Sequence, residues 1–541
     1  MDISHPADSV NTHPTADRRP GKGAAIDLRG LTWTPLGRRR PILDGIDLHI
    51  EPGERLLVAG ASGAGKSTLL RAIAGVVDTV EPGALTGTVT VDDGPTRAGD
   101  GRVGLLVQDP ADARVAGTIG RDIAFGLENL GVPRADIHRR IAAALAAVDI
   151  RYGPGHATSA LSGGEAQRVA LAGIIALRPR VVLLDEPTSM LDDASARAVR
   201  EAVVAAADEA GATLVVVEHR LTGWVDVVDR LVVLGRDGRL LADGPVQRTL
   251  HEQTAELLAA GLWVPGAPAP EALGLPEELC APWPGVAASA GQALVSAEDV
   301  RVVHRPRRGL RVIRRPEPDV TALDGVDLTL TAGRAAALRG TSGAGKSTLL
   351  GLLTGIDRPT GGQVRADAGW AGGAPPELHR WDSAHLAARV GWVPQRAELT
   401  ITSTRSVRDC LLSTPQALGR DVGDAGAAAR RIDATLDVLG LSHAARRHPY
   451  RLSGGEVRRL AVAGALVHGP ALVAFDEPTV GQDRHTWAVV AGLVSSARDA
   501  GCAVVAGTHD DLLAGLVDDV HHLARGRLCA GPADPGSRGV R

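Results

Sequence analysis

The chain has 541 residues, a formal net charge of −4 and 44% apolar residues, enough for two to four packed domains and no general attraction to nucleic acid. Aromatic residues make up only 2%, which leaves few stacking platforms for single-stranded nucleic acid. Cys280, Cys410, Cys502 and Cys529 are scattered without a C-x-x-C, which argues for a reducing compartment and against zinc or a disulfide framework. No run approaches the roughly 18 apolar residues of a membrane span, and the first residues lack the apolar stretch of a signal peptide.

Residues 1–24 are polar and rich in Pro, Asp and Arg, and are expected to form a disordered tail. A first domain is expected over 25–247. Ile46, Leu48 and Ile50 alternate as in a half-buried strand, and Glu51-Pro52-Gly53-Glu54 makes a turn. A short strand, Arg55 to Ala59, then feeds Gly60-Ala61-Ser62-Gly63-Ala64-Gly65-Lys66-Ser67-Thr68, which fits the phosphate-loop pattern G-x-x-x-x-G-K-[ST]. A helix is predicted from about Lys66, turning its free N–H groups and positive dipole end onto the loop as an anion site. The chain holds three lysines (Lys22, Lys66 and Lys346) against 56 arginines, so a drift from Lys to Arg has spared the loop. A compact ammonium reaches phosphates from inside a tight ring of N–H groups, where a planar guanidinium does not.

Gly104 to Gln108 reads as a strand ending in a glutamine. Pro133 is followed by Ile137, Ile141, Leu145 and Val148 at helical spacing, so a helical insert is expected. Leu161-Ser162-Gly163-Gly164-Glu165 leads into an Ala-rich helical stretch. Val181 to Leu184 is an all-apolar run, expected of a parallel strand covered on both faces, and ends in Asp185-Glu186. Leu214 to Val217 ends likewise at Glu218-His219.

Residues 248–293 are rich in Ala, Pro and Gly and are expected to be a linker. Arg305, Arg307, Arg308, Arg311, Arg314 and Arg315 read as a solvated hairpin loop. A second domain is expected over 294–533, with a short tail at 534–541. In it the same features return in the same order: Val326, Leu328 and Leu330, then Gly340-Thr341-Ser342-Gly343-Ala344-Gly345-Lys346-Ser347-Thr348, Gln395, Leu452-Ser453-Gly454-Gly455-Glu456, Asp476-Glu477 and His509. The copies lie 280 positions apart at the lysines, 287 at the glutamines, 291 at the serines and acidic pairs, and 290 at the histidines. This is an internal duplication with small loop-length changes.

The residue types suit phosphoryl chemistry. The Ser67 and Ser347 hydroxyls are placed to ligate Mg²⁺, with Asp185 and Asp476 as a second contact to the ion or its water. Gln108 and Gln395 complete the expected neighbours of that ion and suit sensing of the γ-phosphate and the attacking water. Glu186 and Glu477 are candidate general bases. His219 and His509 can donate to charge developing on the γ-phosphate. Each feature alone has a bland reading: a Gly-rich turn, a solvated loop, a surface histidine, or a helix cap in which Ser162 bonds the N3 amide. Five features in one order, found twice, exclude coincidence.

In these motifs the chain resembles ATP-binding cassette proteins with two nucleotide-binding domains in tandem, over 25–247 and 294–533. Leu-Ser-Gly-Gly-Glu is the family's signature segment. The resemblance implies an α/β fold of two tandem P-loop NTPase domains, each with a mainly parallel sheet core, an antiparallel β subdomain and a helical subdomain. It also implies ATP hydrolysis with ATP and Mg²⁺, by two halves packed head to tail. One ATP site would join Lys66, Ser67, Gln108, Asp185, Glu186 and His219 with Ser453, Gly454 and Gly455. The other would join Lys346, Ser347, Gln395, Asp476, Glu477 and His509 with Ser162, Gly163 and Gly164. Both retain base and histidine, so two hydrolytically competent sites are expected. Two departures stand out. Pro35 and His304 occupy the neighbourhood of the family's adenine-stacking aromatic, for which Trp33 is the substitute in the first half, and Arg458 stands where the first signature has Gln167.

Gln108-Asp109-Pro110 and Thr118-Ile119-Gly120-Arg121-Asp122-Ile123-Ala124-Phe125-Gly126-Leu127-Glu128-Asn129-Leu130 resemble the ATPases of energy-coupling-factor importers, and Thr479-Val480-Gly481-Gln482-Asp483 resembles fused ATPases of that group. That resemblance implies a transmembrane coupling protein and a small membrane substrate-binding subunit as partners, import of a vitamin or transition-metal ion, and a place on the cytoplasmic face of the membrane through those partners. No nucleic-acid partner is expected. The alternatives are the ATPase of a peptide, nickel or sugar importer and, from a different class, a soluble tandem cassette protein acting on ribosomes. The last would carry a charged helical linker and an Asn-His-Leu-Asp type segment, where this chain has Ser189-Met190-Leu191-Asp192 and Val480-Gly481-Gln482-Asp483.

Overall fold

The computed structural model describes residues 23–529 apart from 93, 109–113, 190, 305–318, 402–405, 421–425 and 453. The tails at 1–22 and 534–541, Asp109-Pro110, Ser453 and the arginine cluster lie outside the described residues. Gly23 and Ala24, assigned to the tail by composition, belong instead to the first half. Ala24 is fully buried, and its carbonyl accepts from the Thr213 hydroxyl at 2.7 Å.

Each half is built on a six-stranded sheet. In the first the order is Leu240–Pro245, Arg230–Leu234, Arg55–Gly60, Thr213–Val217, Val181–Asp185, Val103–Leu106. All neighbours are parallel except the edge pair Leu240–Pro245 and Arg230–Leu234. In the second half the order is Val390–Val393, Leu472–Asp476, Ala503–Gly507, Ala335–Arg339, Asp519–Ala524, Arg527–Cys529, again with one antiparallel edge. The four central acidic-pair and histidine strands are buried at every position, which is why they read as unbroken apolar runs. Parallel pairing sets Asp185 opposite Val217 and Asp476 opposite Gly507, so acidic pair and histidine emerge side by side at the carboxyl ends of neighbouring strands. Open α/β sheets bind ligands at that edge.

Antiparallel sheets lie beside these cores. In the first half Ile26–Pro35 pairs with both Leu43–Ile50 and Gly83–Val91. In the second, Ala293–His304 pairs with Val320–Thr331 and Gly361–Ala366. The helices Ile119–Asn129 and Arg134–Ala147 pack on the signature helix Gly163–Leu177 through Ile123, Leu127, Ile141 and Leu145. Burial of each such side chain is worth about 1.5–3 kcal/mol, which holds this helical unit on the sheet.

Residues 248–293 connect the halves, but not as a free tether. Leu257, Leu262 and Val264 join the first half's core, while Leu279 and Cys280 join the second's. The Leu273 N–H donates to the Ala488 carbonyl at 2.8 Å. The buried Arg431 guanidinium donates to the carbonyls of Leu279 at 2.7 Å and Ala281 at 2.8 Å. Composition hid this because the apolar anchors are spaced without a helical or strand period.

Candidate active sites

Each phosphate loop runs from a buried strand into a helix, Arg55–Gly60 into Lys66–Ile73 and Ala335–Arg339 into Lys346–Leu353. Gly65 (φ 99°) and Gly345 (φ 107°) occupy the turn residue before the helix, in a region that disfavours side chains. A Cβ on Gly345 would also lie 2.6 Å from the Ala322 carbonyl, and one on Gly65 3.1 Å from that of Ile42. The loop can close this tightly only with glycine. Lys66 and Lys346 are buried. Lys66 Nζ donates to the carbonyls of Gly60 (2.8 Å) and Ala61 (3.0 Å), Lys346 Nζ to that of Gly340 (2.8 Å). Burial pushes the Lys66 ammonium below the usual lysine range, against the opposing pull of Glu186 and Asp185. Gly63 and Gly343 lie at the exposed crest of each loop, and Thr68 and Thr348 are half-buried in the first helical turn.

The Ser67 hydroxyl lies beside Asp185 and that of Ser347 beside Asp476, each close enough to favour the carboxylate. Burial, then the neighbouring Glu186, raises Asp185 to about 6 despite the Ser67 hydroxyl. For Asp476 the Ser347 hydroxyl outweighs Glu477, and burial still carries it to about 6. The Oδ1 atoms of Asp185 and Asp476 are buried without a partner among the described residues.

Glu186 (φ 49°) and Glu477 (φ 51°) both hold a left-handed backbone, which costs roughly 1–3 kcal/mol and is confined to positions that the surroundings over-determine. The surroundings do so here. The Glu186 N–H donates to Val217 and the Glu477 N–H to Gly507, at 2.9 and 2.8 Å. The Glu186 carbonyl accepts from Gln167 Nε2 at 3.0 Å and that of Glu477 from Arg458 at 2.6 Å. Arg458 thus does what Gln167 does, inside its own half, and also reaches the Gln395 carbonyl at 2.8 Å.

The two glutamates have different neighbours. Glu186 Oε1 lies 2.9 Å from His219 Nε2, and Gln108 Nε2 donates to its Oε2 at 2.9 Å. Glu477 Oε2 lies 3.0 Å from His509 Nδ1, and its Oε1 3.3 Å from Lys346 Nζ. Burial pushes both carboxyls up, but the adjacent histidine and lysine outweigh it and hold each below the usual range. His509 is raised: burial lowers it, and the contact with Glu477 together with the Glu477 charge more than compensates.

Ser162 caps the first signature helix in a reciprocal box with Glu165, whose carboxylate accepts from the Ser162 N–H at 2.8 Å. The cap and the signature motif are one structure, with Gly163 exposed and Gly164 buried in the first turn. In the second half Gly454 and Gly455 open the helix Gly454–Leu466.

The halves meet at the first phosphate loop. A Cβ on Gly455 would lie 3.1 Å from the Ser62 Cβ, the Ser62 N–H donates to Asp483 Oδ2 at 2.9 Å, and a Cβ on Gly481 would lie 3.1 Å from Glu186 Oε2. Residues some 400 positions apart therefore enclose one loop. Ser342 is exposed, where Ser62 is half-buried, and among the described residues it makes no matching bond to Asp192. Spacing alone did not mark Asp483 as part of a site, because its role exists only across the interface. Trp33, offered as an adenine platform, is fully buried beneath Gly83 in the first antiparallel sheet and presents no face to a ligand.

A model of the ABC transporter family matches residues 43–189 and 323–480. The chain belongs to the ABC transporter family. It is an ATP-hydrolysing transport ATPase with two tandem cassettes. The "Putative ABC transporter ATP-binding protein" of Streptomyces avermitilis is 34% identical over 540 residues, covering 93% of each chain. "Putative HMP/thiamine import ATP-binding protein YkoD" of Bacillus subtilis is 30% identical over 516 residues, 92% of this chain and 89% of that one. In solved structures, the complex of archaeal ribosomal stalk protein aP1 and ribosome recycling factor aABCE1 matches with a TM-score of 0.51 at 19% identity, over 90% of this chain and 87% of that one, a likeness of fold alone.

Proposed function

We propose that this ABC ATPase powers a membrane importer of the energy-coupling-factor kind, carrying a vitamin or transition-metal ion, from the cytoplasmic face of the membrane. The observation that carries the reading is the enclosure of the first phosphate loop by the opposite half through Asp483 and Gly455, since ATP held there ties binding to closure and hydrolysis to release. Import is supported by the name of the Bacillus subtilis relative and by the helix Ile119–Asn129, which follows the Gln108 strand and leaves Phe125 46% exposed. Among the described residues no helix is long and apolar enough to cross a membrane, so translocation is assigned to a separate coupling protein.

In the first site the loop N–H groups and Lys66 bind the phosphates. Glu186, held ionised, accepts a proton from the attacking water as its oxygen bonds the γ-phosphorus and the bond to the β–γ bridging oxygen breaks, giving ADP and phosphate. His219 orients Glu186, and Gln108 holds its other oxygen. The second site uses Lys346, Glu477 and His509 in the same roles, with Lys346 on the Glu477 oxygen that answers to the one Gln108 holds, and Gln395 fixed through its carbonyl by Arg458. The unpartnered Asp185 and Asp476 oxygens beside Ser67 and Ser347 fit Mg²⁺, and no cluster of three acidic, His or Cys ligands exists among the described residues, so phosphate and water would complete its shell. When bound, Mg²⁺ neutralises charge on the phosphates. Purification of the tagged chain from membranes tests the reading: co-recovery of one multi-helix protein and one small membrane protein supports it, and recovery with ribosomes contradicts it.

A further inference from the structure

Arg220 follows His219 and Asp510 follows His509, so these two residues hold the same position in the two copies, 290 apart, with opposite charge. The structure brings them together. Arg220 Nη2 lies 3.2 Å from Asp510 Oδ2, across the boundary between the halves. Asp510 is buried at its end, where Oδ2 also accepts from Trp487 Nε1 at 2.7 Å and Oδ1 from the Leu512 N–H at 3.0 Å. Its carboxylate is therefore fixed before Arg220 arrives.

Arg220 is braced from the opposite side. Its guanidinium stacks over Trp263 at 5.0 Å, and Trp263 belongs to the segment joining the halves. Trp263 Nε1 donates to the Gln482 carbonyl at 2.9 Å, and its own carbonyl accepts from the Leu221 N–H at 3.4 Å. Arg484 stacks on the same indole at 5.6 Å, and its N–H donates to Gly261 at 2.8 Å. The segment thus grips the residues after the first histidine and the Gln482-Asp483-Arg484 corner of the second half. Two copies of either half paired in this way would set two guanidiniums or two carboxylates face to face, so the contact suits only unlike halves. The Arg220 charge also reaches His509, where it opposes protonation.

We infer that Arg220 and Asp510 are paired positioning residues that dock the two histidine loops on each other, so that His219 and His509 are aligned by one cross-half contact braced by Trp263. Neither touches the reacting atoms, so their loss should be read in kcat rather than in ATP binding.

The test is steady-state ATP hydrolysis by the full chain carrying Arg220→Ala, Asp510→Asn, both together, Arg220→Lys, and the exchange Arg220→Asp with Asp510→Arg. Asn keeps the helix-capping oxygen but turns its NH2 toward the Trp487 N–H, so the Asp510 variants carry a stability cost of their own and the Arg220 variants decide the test even if the exchanged protein fails to fold. Arg220→Ala is expected to lower kcat about tenfold with KM for ATP changed less than about twofold, and the double variant to be no worse than the single. Arg220→Lys should restore most of the loss, and the melting temperature of the two Arg220 single variants should stay within about 2 °C. Unchanged kcat, losses that multiply in the double variant, or a fall in kcat of Arg220→Ala matched by a fall in its melting temperature would each overturn the inference.

Discussion

The backbone N–H of Ser62, in the first phosphate loop, donates to Asp483 Oδ2 of the second half at 2.9 Å. Asp483 uses its other oxygen to cap its own helix at the Thr486 N–H, 2.7 Å away. One carboxylate thus fixes the start of the helix Arg484–Asp499 and the distance between the halves. Asp483→Asn keeps a capping oxygen for the Thr486 N–H but turns its amide NH2, a donor, toward the Ser62 N–H, so a charge-assisted bond worth roughly 1.5 kcal/mol is lost. The ATP concentration for half-maximal turnover should rise about tenfold in a titration, with melting little changed.

Glu186 and Glu477 share a left-handed backbone and a histidine neighbour, yet only Glu477 lies against a lysine. Glu186→Gln and Glu477→Gln should each lower hydrolysis at the affected site by about 100-fold or more, as removal of a general base does. Phosphate release should fall in both variants. If one variant kept the full rate while the other lost it, the two sites would not be equivalent.

Glu218 is buried between Thr188 and Glu186, and burial pushes its carboxyl up to about 7 even though it accepts from the Thr188 hydroxyl at 2.6 Å. A carboxyl raised on folding binds more protons in the native state, so its contribution is full below the unfolded value of 4.5 and is lost as pH rises through about 7. Glu218→Gln should therefore gain melting temperature over the parent as pH goes from 5 to 8. Parallel pH profiles would show instead that the Glu218 carboxyl is not raised on folding and is ionised in both states across this range.

How much of this was legible in the sequence depends on the distance over which each feature is decided. The phosphate loops, the strand-end acidic pairs and the signature caps are local, because glycine, a buried run or a Ser-to-Glu box is required within a few residues. Trp33 failed because adenine stacking needs an exposed face, and only the sheet pairing around Gly83 shows that it has none. Asp483 and Arg220 were invisible because their partners lie some 290 to 420 positions away. Arg458 departs from the Gln167 of the first signature in type, and only its donation to the Glu477 carbonyl shows that it does the same task within its own half.

Arg431 holds the connecting segment by donating to the Leu279, Ala281 and Leu466 carbonyls at 2.7, 2.8 and 3.1 Å. Arg431→Ala leaves these oxygens unpaired at about 1–3 kcal/mol for each that stays dry. Denaturant unfolding should show a loss of about 3 kcal/mol or more. A loss below about 0.5 kcal/mol would mean that the segment is not anchored there.

The central claim is that the two halves of one chain enclose an ATP site between them. Ser62→Cys with Gly455→Cys, in a chain whose half-buried Cys410 and exposed Cys529 are replaced by serine, tests it by oxidation. The Ser62 Cβ and a Cβ built on Gly455 lie 3.1 Å apart, near the separation a disulfide requires. A disulfide should form within single chains, at a yield independent of protein concentration, and should stop ATP turnover until reduced. Cross-linking only between chains, or none with both thiols accessible, would contradict the account.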